Sequence, residues 1–571
     1  MILATALAVV AVLLAVSGGF RVTVGGLRLS ARSPWPSALA ALVALAGWYV
    51  LARKGSGVAS DVEHAWLLIN RRASAMTLAI AILSGAVAAL QGTFAAAGAD
   101  ASGYLSEAQL FASGRLFFHD TLASIVGGWQ TGLTAPLGWR PAAIEGLQSP
   151  TYPPGLPLLM AIPHLAGGSV AACWVVIVSA AIAVWSTGRV AMHLAGGAAG
   201  MVAAVTLATT PVFLFQSVQP MSDVPVTAAW MSCWLMLVRP GSGIRAPGSV
   251  FIAGVACAVA ALIRPNLAPL ALVPLVFAGR RIRDAVAFAL PVAAAGALLL
   301  WLQWRWYGSP LRSGYGTAGE LFTLGNSGAN VSFYLQWLVA TSPVMLLGVV
   351  GLGLARAERL AWSLATFAAL VVAAYLVYAV FQDWSYLRFL LPALAIGSVF
   401  VGVAVAKMSG GIPATARAVV LVAAGVAIAA AGIANARALD AFDLDEHHRR
   451  IVQLGERLDG VMAADAAIVA GEQSGSMRYY TGRAIIRWEA ASPEDLARAL
   501  AAVTAAGRPA WIVLDAWEVG LFRTKFAQVP AASLDWPPAF VAGTTHRTST
   551  WQLSDRDRFM RGENTPTVRL P

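Results

Sequence analysis

The residues best suited to chemistry in this sequence are acids and arginines that stand at the ends of apolar segments. Asp100 follows directly on the apolar segment 74–98, and Tyr104 and Glu107 follow Asp100 at helical spacing. One face of a short helix is therefore predicted to carry all three side chains. A carboxylate at the edge of a membrane is costly unless a polar partner uses it. Asp100 is thus the first candidate for a functional acid.

Four further polar clusters stand at the ends of apolar segments: Gln148–Gly155 with Tyr152, Gln219–Pro225 with Asp223, Arg264–Asn266, and Asp383–Pro392 with Arg388. Together with Asp100 they combine carboxylates with guanidinium groups. A carboxylate is suited to activating an acceptor hydroxyl, and a guanidinium is suited to holding a phosphate. A donor with its phosphate at the membrane surface and a polyprenyl tail in the lipid meets both requirements.

Each of these residues also has a purely structural interpretation. Asp100 would cap the surface helix, and Asp223 would be a first-turn charge favoured by the helix dipole. Arg264 and Arg388 would be interfacial anchors, and Tyr152 would lie in a rigid turn. The residues alone leave both interpretations open.

The composition indicates a polytopic membrane protein. The chain has 571 residues, of which 58% are hydrophobic and 12% charged. The net charge of +11 comes almost wholly from arginine, which is typical of the cytoplasmic loops of membrane proteins. No basic stretch carries exposed aromatic residues, so nucleic acid is excluded as a partner. The three cysteines lie in apolar segments without a Cys/His cluster, and no metal site is predicted.

Thirteen apolar segments predict the membrane topology, and eleven of them have a consistent orientation. The short basic loops fall inside, which places the loop 98–168 outside. The segments are Ile2–Val16, Ser37–Leu51, Ser74–Gly98, Ala172–His193, Ala198–Phe215, Met221–Val238, Gly248–Ile263, Leu267–Ala278, Asp284–Trp304, Phe333–Leu354, Leu360–Phe381, Leu387–Ala406 and Ala416–Ile433. Between the first two, alternating residues around two glycines predict a small β-hairpin.

The segments divide the chain into three parts. Residues 1–73 form a membrane hairpin and a cytoplasmic linker, and residues 74–434 form the transmembrane domain with the outer loop 98–168. Residues 435–571 are predicted to be a small extracytoplasmic α/β domain. Its expected elements are strands at 466–470, 484–488 and 509–515 and a helix at 492–506, with Ser492 as N-cap and Pro493 in the first helical position.

Several motifs, taken in chain order, resemble those of the GT-C superfamily of polytopic membrane glycosyltransferases. They are Asp100 with Tyr104, Tyr152–Gly155, Ser222–Pro225 and Arg388–Pro392. The chain is most similar to the bacterial branch that resembles protein mannosyltransferases and the lipid A aminoarabinose transferase, over about residues 74–433. The resemblance implies a GT-C fold with about 11–13 transmembrane helices. It also implies inverting sugar transfer from a polyprenyl-phosphate donor to a lipid, glycan or protein hydroxyl at the outer face of the bacterial inner membrane.

The resemblance also assigns roles to residues. The catalytic acid of the family falls on Asp100, but Ala101 follows where many members have a second acid. Asp223 is therefore the second catalytic candidate, and Glu107 is the alternative. The expected substrate-binding residues are Tyr104, Glu107, Tyr152, Arg264 and Arg388. No metal ligands are assigned, although the resemblance leaves a divalent cation open.

Two other classes of function compete with an enzyme. A secondary transporter or lipid flippase would tend to show internal repeats and ionisable residues near the membrane midplane. The sequence shows no repeat, and its acids cluster at one surface. A non-catalytic envelope assembly protein that works through its soluble domain is the other alternative. The pattern favours a glycosyltransferase whose partners are the donor, the acceptor and membrane lipids.

Overall fold

The computed structural model describes residues 70–127, 131–238, 247–279 and 281–570, and before residue 70 only a β-hairpin and a few isolated positions. The predicted segments Ile2–Val16 and Ser37–Leu51, and with them the membrane hairpin, lie outside the described residues. The β-hairpin predicted between them is confirmed, because β1 (Phe20–Val24) pairs antiparallel with β2 (Leu27–Ala31).

The helical region starts with α1 (Ala73–Leu90) and α2 (Gly98–Ala112). A small antiparallel sheet follows, with α3 (Ala123–Val126) and the strands β3 (Phe118–His119), β4 (Trp139–Pro141) and β5 (Leu147–Pro150) in the order β3-β5-β4. The next helices are α4 (Gly155–Ala208), α5 (Pro211–Ser217), α6 (Asp223–Leu237), α7 (Pro247–Ile263), α8 (Leu272–Ala278), α9 (Ile282–Tyr307), α10 (Ala318–Leu321), α11 (Ser327–Thr341), α12 (Leu347–Leu354), α13 (Arg359–Leu376), α14 (Leu391–Met408) and α15 (Ala414–Ala438). Short 3₁₀ segments cover Pro265–Ala271, Leu324–Asn326, Pro343–Leu346, Trp384–Leu390 and Ser409–Gly411.

Among the described residues, six helices are long and apolar enough to cross a membrane, or seven if one bent pair counts as a single span. The chain is therefore a multi-pass membrane protein. The sequence predicts more spans for two reasons. Two of its segments lie outside the described residues, and several others, such as α6, α7 and α8, form helices that are too short to cross alone.

Proline and glycine explain where the observed helices depart from the predicted spans. The predicted span Phe333–Leu354 is bent by 110° at Ser342–Pro343, because proline lacks the N–H donor that a continuous helix needs. The predicted span Ala172–His193 lies within the much longer α4, which has non-helical breaks at Gly167–Gly168 and Ala195–Gly196. The segment predicted to run from Ser74 to Gly98 ends as a helix at Leu90, and α2 starts at Gly98.

The helices approach one another closely where one of them presents a small residue. A Cβ atom on Gly351 of α12 would overlap the carbonyl oxygen of Phe400 in α14. A Cβ atom on Gly402 would likewise meet the backbone of Ala199 in α4. Close backbone contact of this kind is how membrane helices associate without help from the hydrophobic effect.

The C-terminal region is a mixed six-stranded sheet with helices, in the strand order β11-β9-β10-β8-β6-β7. Its elements are α16 (Leu444–Asp459), β6 (Ala467–Ala470), α17 (Ser474–Thr481), β7 (Ala484–Arg487), α18 (Pro493–Ala505), β8 (Ala510–Asp515), α19 (Ala516–Lys525), β9 (Phe540–Ala542), β10 (Thr548–Gln552), α20 (Leu553–Met560) and β11 (Val568–Leu570). The three predicted strands and the predicted helix are confirmed, and Ser492 forms a capping box with Asp495.

The first stability prediction concerns the contact between α12 and α14. Gly351→Ala should destabilise the protein by about 1–3 kcal/mol, since the added methyl group has no room beside Phe400. The measurement is the thermal unfolding midpoint of the detergent-solubilised protein. Gly353→Ala is the matched control on the same helix, because its Cβ would meet nothing within 4 Å. Equal midpoints for the two variants would contradict the close packing described here.

Candidate active site

A cavity of about 870 Å³ lies between the helical region and the C-terminal sheet domain. This volume is in the usual range for a small-molecule site. Six of the seven predicted site residues line it: Asp100, Tyr104, Tyr152, Asp223, Arg264 and Arg388. They come from five separate parts of the chain, so only the fold brings them together.

Asp100 and Arg388 form an ion pair that is open to the cavity. Arg388 Nη2 donates to Asp100 Oδ2 at 2.9 Å, and the side chains are 14% and 29% exposed, respectively. Asp100 lies in the first turn of α2, whose N-cap is Ala97 and which has no side-chain cap. The capping interpretation of Asp100 is therefore replaced by an ion pair. Among the described residues, the buried Nε of Arg388 has no hydrogen-bond partner.

Asp223 and Arg264 form a second ion pair, which is more deeply buried. Arg264 Nη2 donates to Asp223 Oδ1 at 2.5 Å, and the Asp223 side chain is fully buried. Arg264 also donates to the hydroxyl of Tyr375 at 2.8 Å, and Asn266 donates to the same hydroxyl at 3.0 Å. Within the described part of the chain, Asp223 Oδ2 lacks a hydrogen-bond partner. Asp223 is in the first turn of α6, so the helix dipole also favours its charge.

Aromatic rings hold the two arginines near each other. The guanidinium carbons of Arg264 and Arg388 lie 5.2 and 5.3 Å from the ring centroid of Phe389. Tyr375 stacks on the same ring at 5.1 Å, with the two planes 7° apart. A cation near an aromatic ring is stabilised electrostatically, most strongly where water is excluded. Phe389 therefore places both positive charges at one wall of the cavity.

Tyr104 and Tyr152 line the cavity beside Asp100. Their ring centroids are 4.8 Å apart, and the Tyr104 hydroxyl donates to Ser222 Oγ at 3.0 Å. The Tyr152 ring packs on Gly103, where any side chain would overlap it. Burial, and next the charge of Asp100, raise the pKa of Tyr104 above its ordinary value. Tyr104 therefore remains a protonated hydrogen-bond donor at neutral pH.

Glu107 lies away from the cavity, contrary to the expectation that it binds substrate or supplies a second acid. Its side chain is 1% exposed, and neither carboxyl oxygen has a hydrogen-bond partner among the described residues. Burial raises the pKa of Glu107 well above its ordinary value. Burial therefore favours the protonated form of this side chain, which lies inside the packed part of α2.

The sequence gives no warning of several other residues that line the cavity. Gln216 is buried, and both of its side-chain polar atoms lack partners within the described ranges. Glu472 and His448 come from the C-terminal domain. Glu472 follows the predicted strand at 466–470, but only the docking of the two domains brings it to the site.

Glu472 and His448, the two cavity residues from the C-terminal domain, differ in their protonation at neutral pH. Burial raises the pKa of Glu472 to about 7, and the negative charges of Glu489, Glu518, Asp515 and Asp100 add to this effect. Glu472 is therefore close to half ionised at neutral pH. Burial, with the nearby positive charges of His447 and Arg450, lowers the pKa of His448 to about 4, so His448 is neutral.

The carboxylates do not fit a metal centre in this arrangement. Asp100 and Asp223 each accept a hydrogen bond from an arginine, which occupies an oxygen that a cation would use. In the described ranges, no group of three or more His, Cys, Asp or Glu side chains is placed to hold a metal ion.

Comparison with solved structures identifies the fold. ArnT from Cupriavidus metallidurans, in crystal structures bound to undecaprenyl phosphate and in the apo state, superposes with a TM-score of 0.52 in each case. The sequence identity is 12%, and the match covers 84% of this chain and 97% of ArnT. The oligosaccharyltransferase of Archaeoglobus fulgidus, in complex with Zn and sulfate, matches at a TM-score of 0.49 and 13% identity over 83% of this chain and 73% of that one.

No family model and no curated protein sequence matches the chain. The similarity to ArnT is therefore structural, and it shows that the chain has the GT-C fold that its motifs resemble.

The buried ion pair leads to a second stability prediction. Arg264→Gln should destabilise the protein by about 3–5 kcal/mol, because it leaves the Asp223 carboxylate buried without its counter-charge. Adding Asp223→Asn to this variant should restore much of the lost stability, since the unpaired buried carboxylate is then replaced by a neutral amide. The measurement is again the unfolding midpoint in detergent.

Arg283→Gln is the control for this experiment, because the Arg283 side chain is exposed and its ion pair with Asp284 is loose at 3.8 Å. It should change the midpoint little. A double variant no more stable than Arg264→Gln alone would show that the two charges are not coupled.

Proposed function

We propose that this protein is a membrane glycosyltransferase that transfers a sugar from a polyprenyl-phosphate donor to an acceptor hydroxyl on a lipid, glycan or protein. The observation that carries the proposal is the solvent-accessible Asp100–Arg388 pair in a cavity that also contains Arg264. It brings together a carboxylate for an acceptor and guanidinium groups for a phosphate. The GT-C fold supports the proposal, because ArnT with this fold has been crystallised with undecaprenyl phosphate.

Arg388 is the main phosphate ligand in this proposal. Its contact with Asp100 uses one terminal nitrogen, and its Nε has no partner among the described residues. Guanidinium groups bind phosphate oxygens through paired N–H donors. Arg264 is already engaged by Asp223 and Tyr375. Arg264 therefore contributes mainly its positive charge, and its guanidinium group packs on the ring of Phe389.

The cavity also accommodates the apolar part of the donor. Leu299, Leu311 and Leu321 are among its lining residues, and Leu311 is largely exposed. A polyprenyl chain would lie against such side chains while its phosphate reaches the arginines. Tyr104 and Tyr152 supply aromatic rings and hydroxyl groups beside Asp100, as a sugar-binding surface requires.

The reaction is proposed to be a single inverting displacement. Asp100 accepts a hydrogen bond from the acceptor hydroxyl and orients its oxygen toward the anomeric carbon of the donor sugar. The new bond forms between that carbon and the acceptor oxygen, while the acceptor O–H bond breaks and its proton passes to a carboxylate of the cavity. The bond to the phosphate oxygen breaks, and polyprenyl phosphate leaves with its charge stabilised by Arg388. Asp223 holds Arg264 in position beside it.

We place the reaction at the outer face of a bacterial inner membrane, with the C-terminal domain on the periplasmic side. The arginine-rich short loops support this orientation, because such loops remain in the cytoplasm. The cavity and the sheet domain then lie on the side opposite those loops.

The first activity prediction concerns the acid. Asp100→Asn should lower kcat/KM for sugar transfer by about 100-fold or more, because the neutral amide polarises the acceptor hydroxyl less than the carboxylate does. The assay follows the release of polyprenyl phosphate from radiolabelled undecaprenyl-phosphate sugars, with an envelope extract supplying acceptors. Glu145→Gln, an exposed acid of the same loop, is the control. Full activity of a folded Asp100→Asn protein would refute this role, and a transporter or scaffold would be indifferent to the substitution.

The second activity prediction concerns the phosphate. Arg388→Gln should weaken the binding of undecaprenyl phosphate by about 10-fold or more, since a charge-assisted contact of about 1.5–3 kcal/mol is lost. Binding is measured as the ligand-dependent shift of the unfolding midpoint in detergent. Lys407→Gln, which removes an exposed cation bonded to the carbonyl of Leu354, should leave the affinity unchanged. An equal loss in both variants would indicate a general charge effect instead of a phosphate site.

A further inference from the structure

We infer that Glu472, supplied by the C-terminal domain, is the general base that takes the proton from the acceptor hydroxyl. The inference rests on the proposed glycosyl transfer and assigns its proton step to a residue outside the helical region. In this step the acceptor O–H bond breaks and its proton goes to the Glu472 carboxylate. The acceptor oxygen bonds to the anomeric carbon, and the electron pair of the broken bond leaves with polyprenyl phosphate.

The position of Glu472 is the first support. Its side chain lines the same cavity as Asp100 and Arg388. Glu472 Oε1 lies 3.9 Å from the point where a Cβ atom would stand on Gly98, two residues before Asp100. The carboxylate of the C-terminal domain therefore lies beside the start of α2. It supplies the second acid that Ala101 does not.

Close contacts between the C-terminal domain and the helical region hold Glu472 at the cavity. Helix α17 packs so closely on α2 that a Cβ atom on Gly475 would overlap the Ser102 hydroxyl. The amide N–H of Leu137 donates to Ser474 Oγ at 3.1 Å, and that of Ala96 donates to the Tyr480 hydroxyl at 2.8 Å. These contacts tie the residues after Glu472 to the chain on both sides of Asp100.

The backbone on either side of Glu472 is also fixed. Its N–H donates to Glu518 Oε1 at 3.0 Å, and the Trp488 ring nitrogen donates to the same oxygen at 3.2 Å. The next residue, Gln473, donates to Asp515 Oδ2 at 3.0 Å. The residues next to Glu472 are thus held inside the C-terminal domain, whereas the Glu472 side chain lines the cavity. A general base needs such positioning to meet the proton in the transition state.

Glu472 differs from Asp100 in its freedom to accept a proton. Asp100 is committed to Arg388 by an ion pair, whereas Glu472 has no ion-pair partner in the part of the chain that the structure describes. The charged and titratable groups around Glu472 are Glu489, Glu518 and Asp515 in its own domain, and Asp100, Tyr386, Arg388 and His448 at the cavity, where Arg388 is paired with Asp100. Burial and the nearby acids raise the pKa of Glu472 to about 7, which suits a base that works at neutral pH.

The test compares pH–rate profiles of the full-length protein in lipid, with radiolabelled undecaprenyl-phosphate sugars as donors and an envelope extract as acceptor. For the wild type, kcat/KM should rise with pH to a plateau, with a midpoint near pH 7 where Glu472 loses its proton. Glu472→Gln should lower the plateau by about 100-fold and abolish the midpoint. Glu472→Asp keeps a base on a shorter stem and should retain part of the rate and a midpoint.

Two further variants separate catalysis from structure. Glu494→Gln, an exposed acid of the same domain, should leave the profile unchanged. Glu489→Gln should move the midpoint to lower pH, because the Glu489 charge helps to raise the pKa of Glu472. Undecaprenyl phosphate should shift the unfolding midpoint of Glu472→Gln as much as that of the wild type, because the phosphate contacts remain.

The outcomes are distinguishable. A wild-type protein that transfers sugar from no donor overturns the proposed function, and the inference with it. An active wild type with an unchanged plateau and midpoint in Glu472→Gln overturns the inference alone. Loss of rate in Glu472→Gln with the wild-type midpoint retained also overturns it, because another group would then carry the titration.

Discussion

The cavity depends on the pairing of two carboxylates with two guanidinium groups where little water is present to solvate them. An unpaired charge in such a place costs several kcal/mol, so each acid requires its arginine. The two pairs are not equivalent, because the Asp223 side chain is fully buried while that of Asp100 is 29% exposed. The buried Asp223–Arg264 pair stabilises one wall of the cavity. The Asp100–Arg388 pair presents a charge of each sign where a ligand can reach it.

The irregular ends of the helices make this pairing possible. Arg388 stands in the 3₁₀ segment Trp384–Leu390 before α14, and Arg264 precedes the 3₁₀ segment Pro265–Ala271 after α7. Backbone of this kind is tolerated within a membrane protein where it is buried or lines a polar cavity. Pro265 directly follows Arg264 at the end of α7, whereas Arg388 lies four residues before Pro392 in the first turn of α14. Irregular backbone at the helix ends is thus part of the construction of the site.

Local signals explain how far the sequence could predict the structure. The cap at Ser492, the buried strands and the glycine-centred hairpin depend on neighbouring residues, and all three were predictable. The prediction of Glu107 followed from its spacing with Asp100 and Tyr104. Spacing fixes the face of a helix, but it does not show how far along that face the cavity extends. The packing of α2 closes over Glu107 one turn beyond Tyr104. Glu472 lies 372 residues beyond Asp100 in the printed sequence, and no local pattern connects them.

The docked C-terminal domain gives the division of labour between the acids a physical basis. A carboxylate paired with arginine orients a hydroxyl well, but its charge is shared with its partner. A carboxylate among other acids, without a cation, gains most from accepting a proton. The helical region supplies the first kind in Asp100, and the sheet domain supplies the second in Glu472. On the proposed mechanism, the cavity is a complete active site only when both domains are in contact.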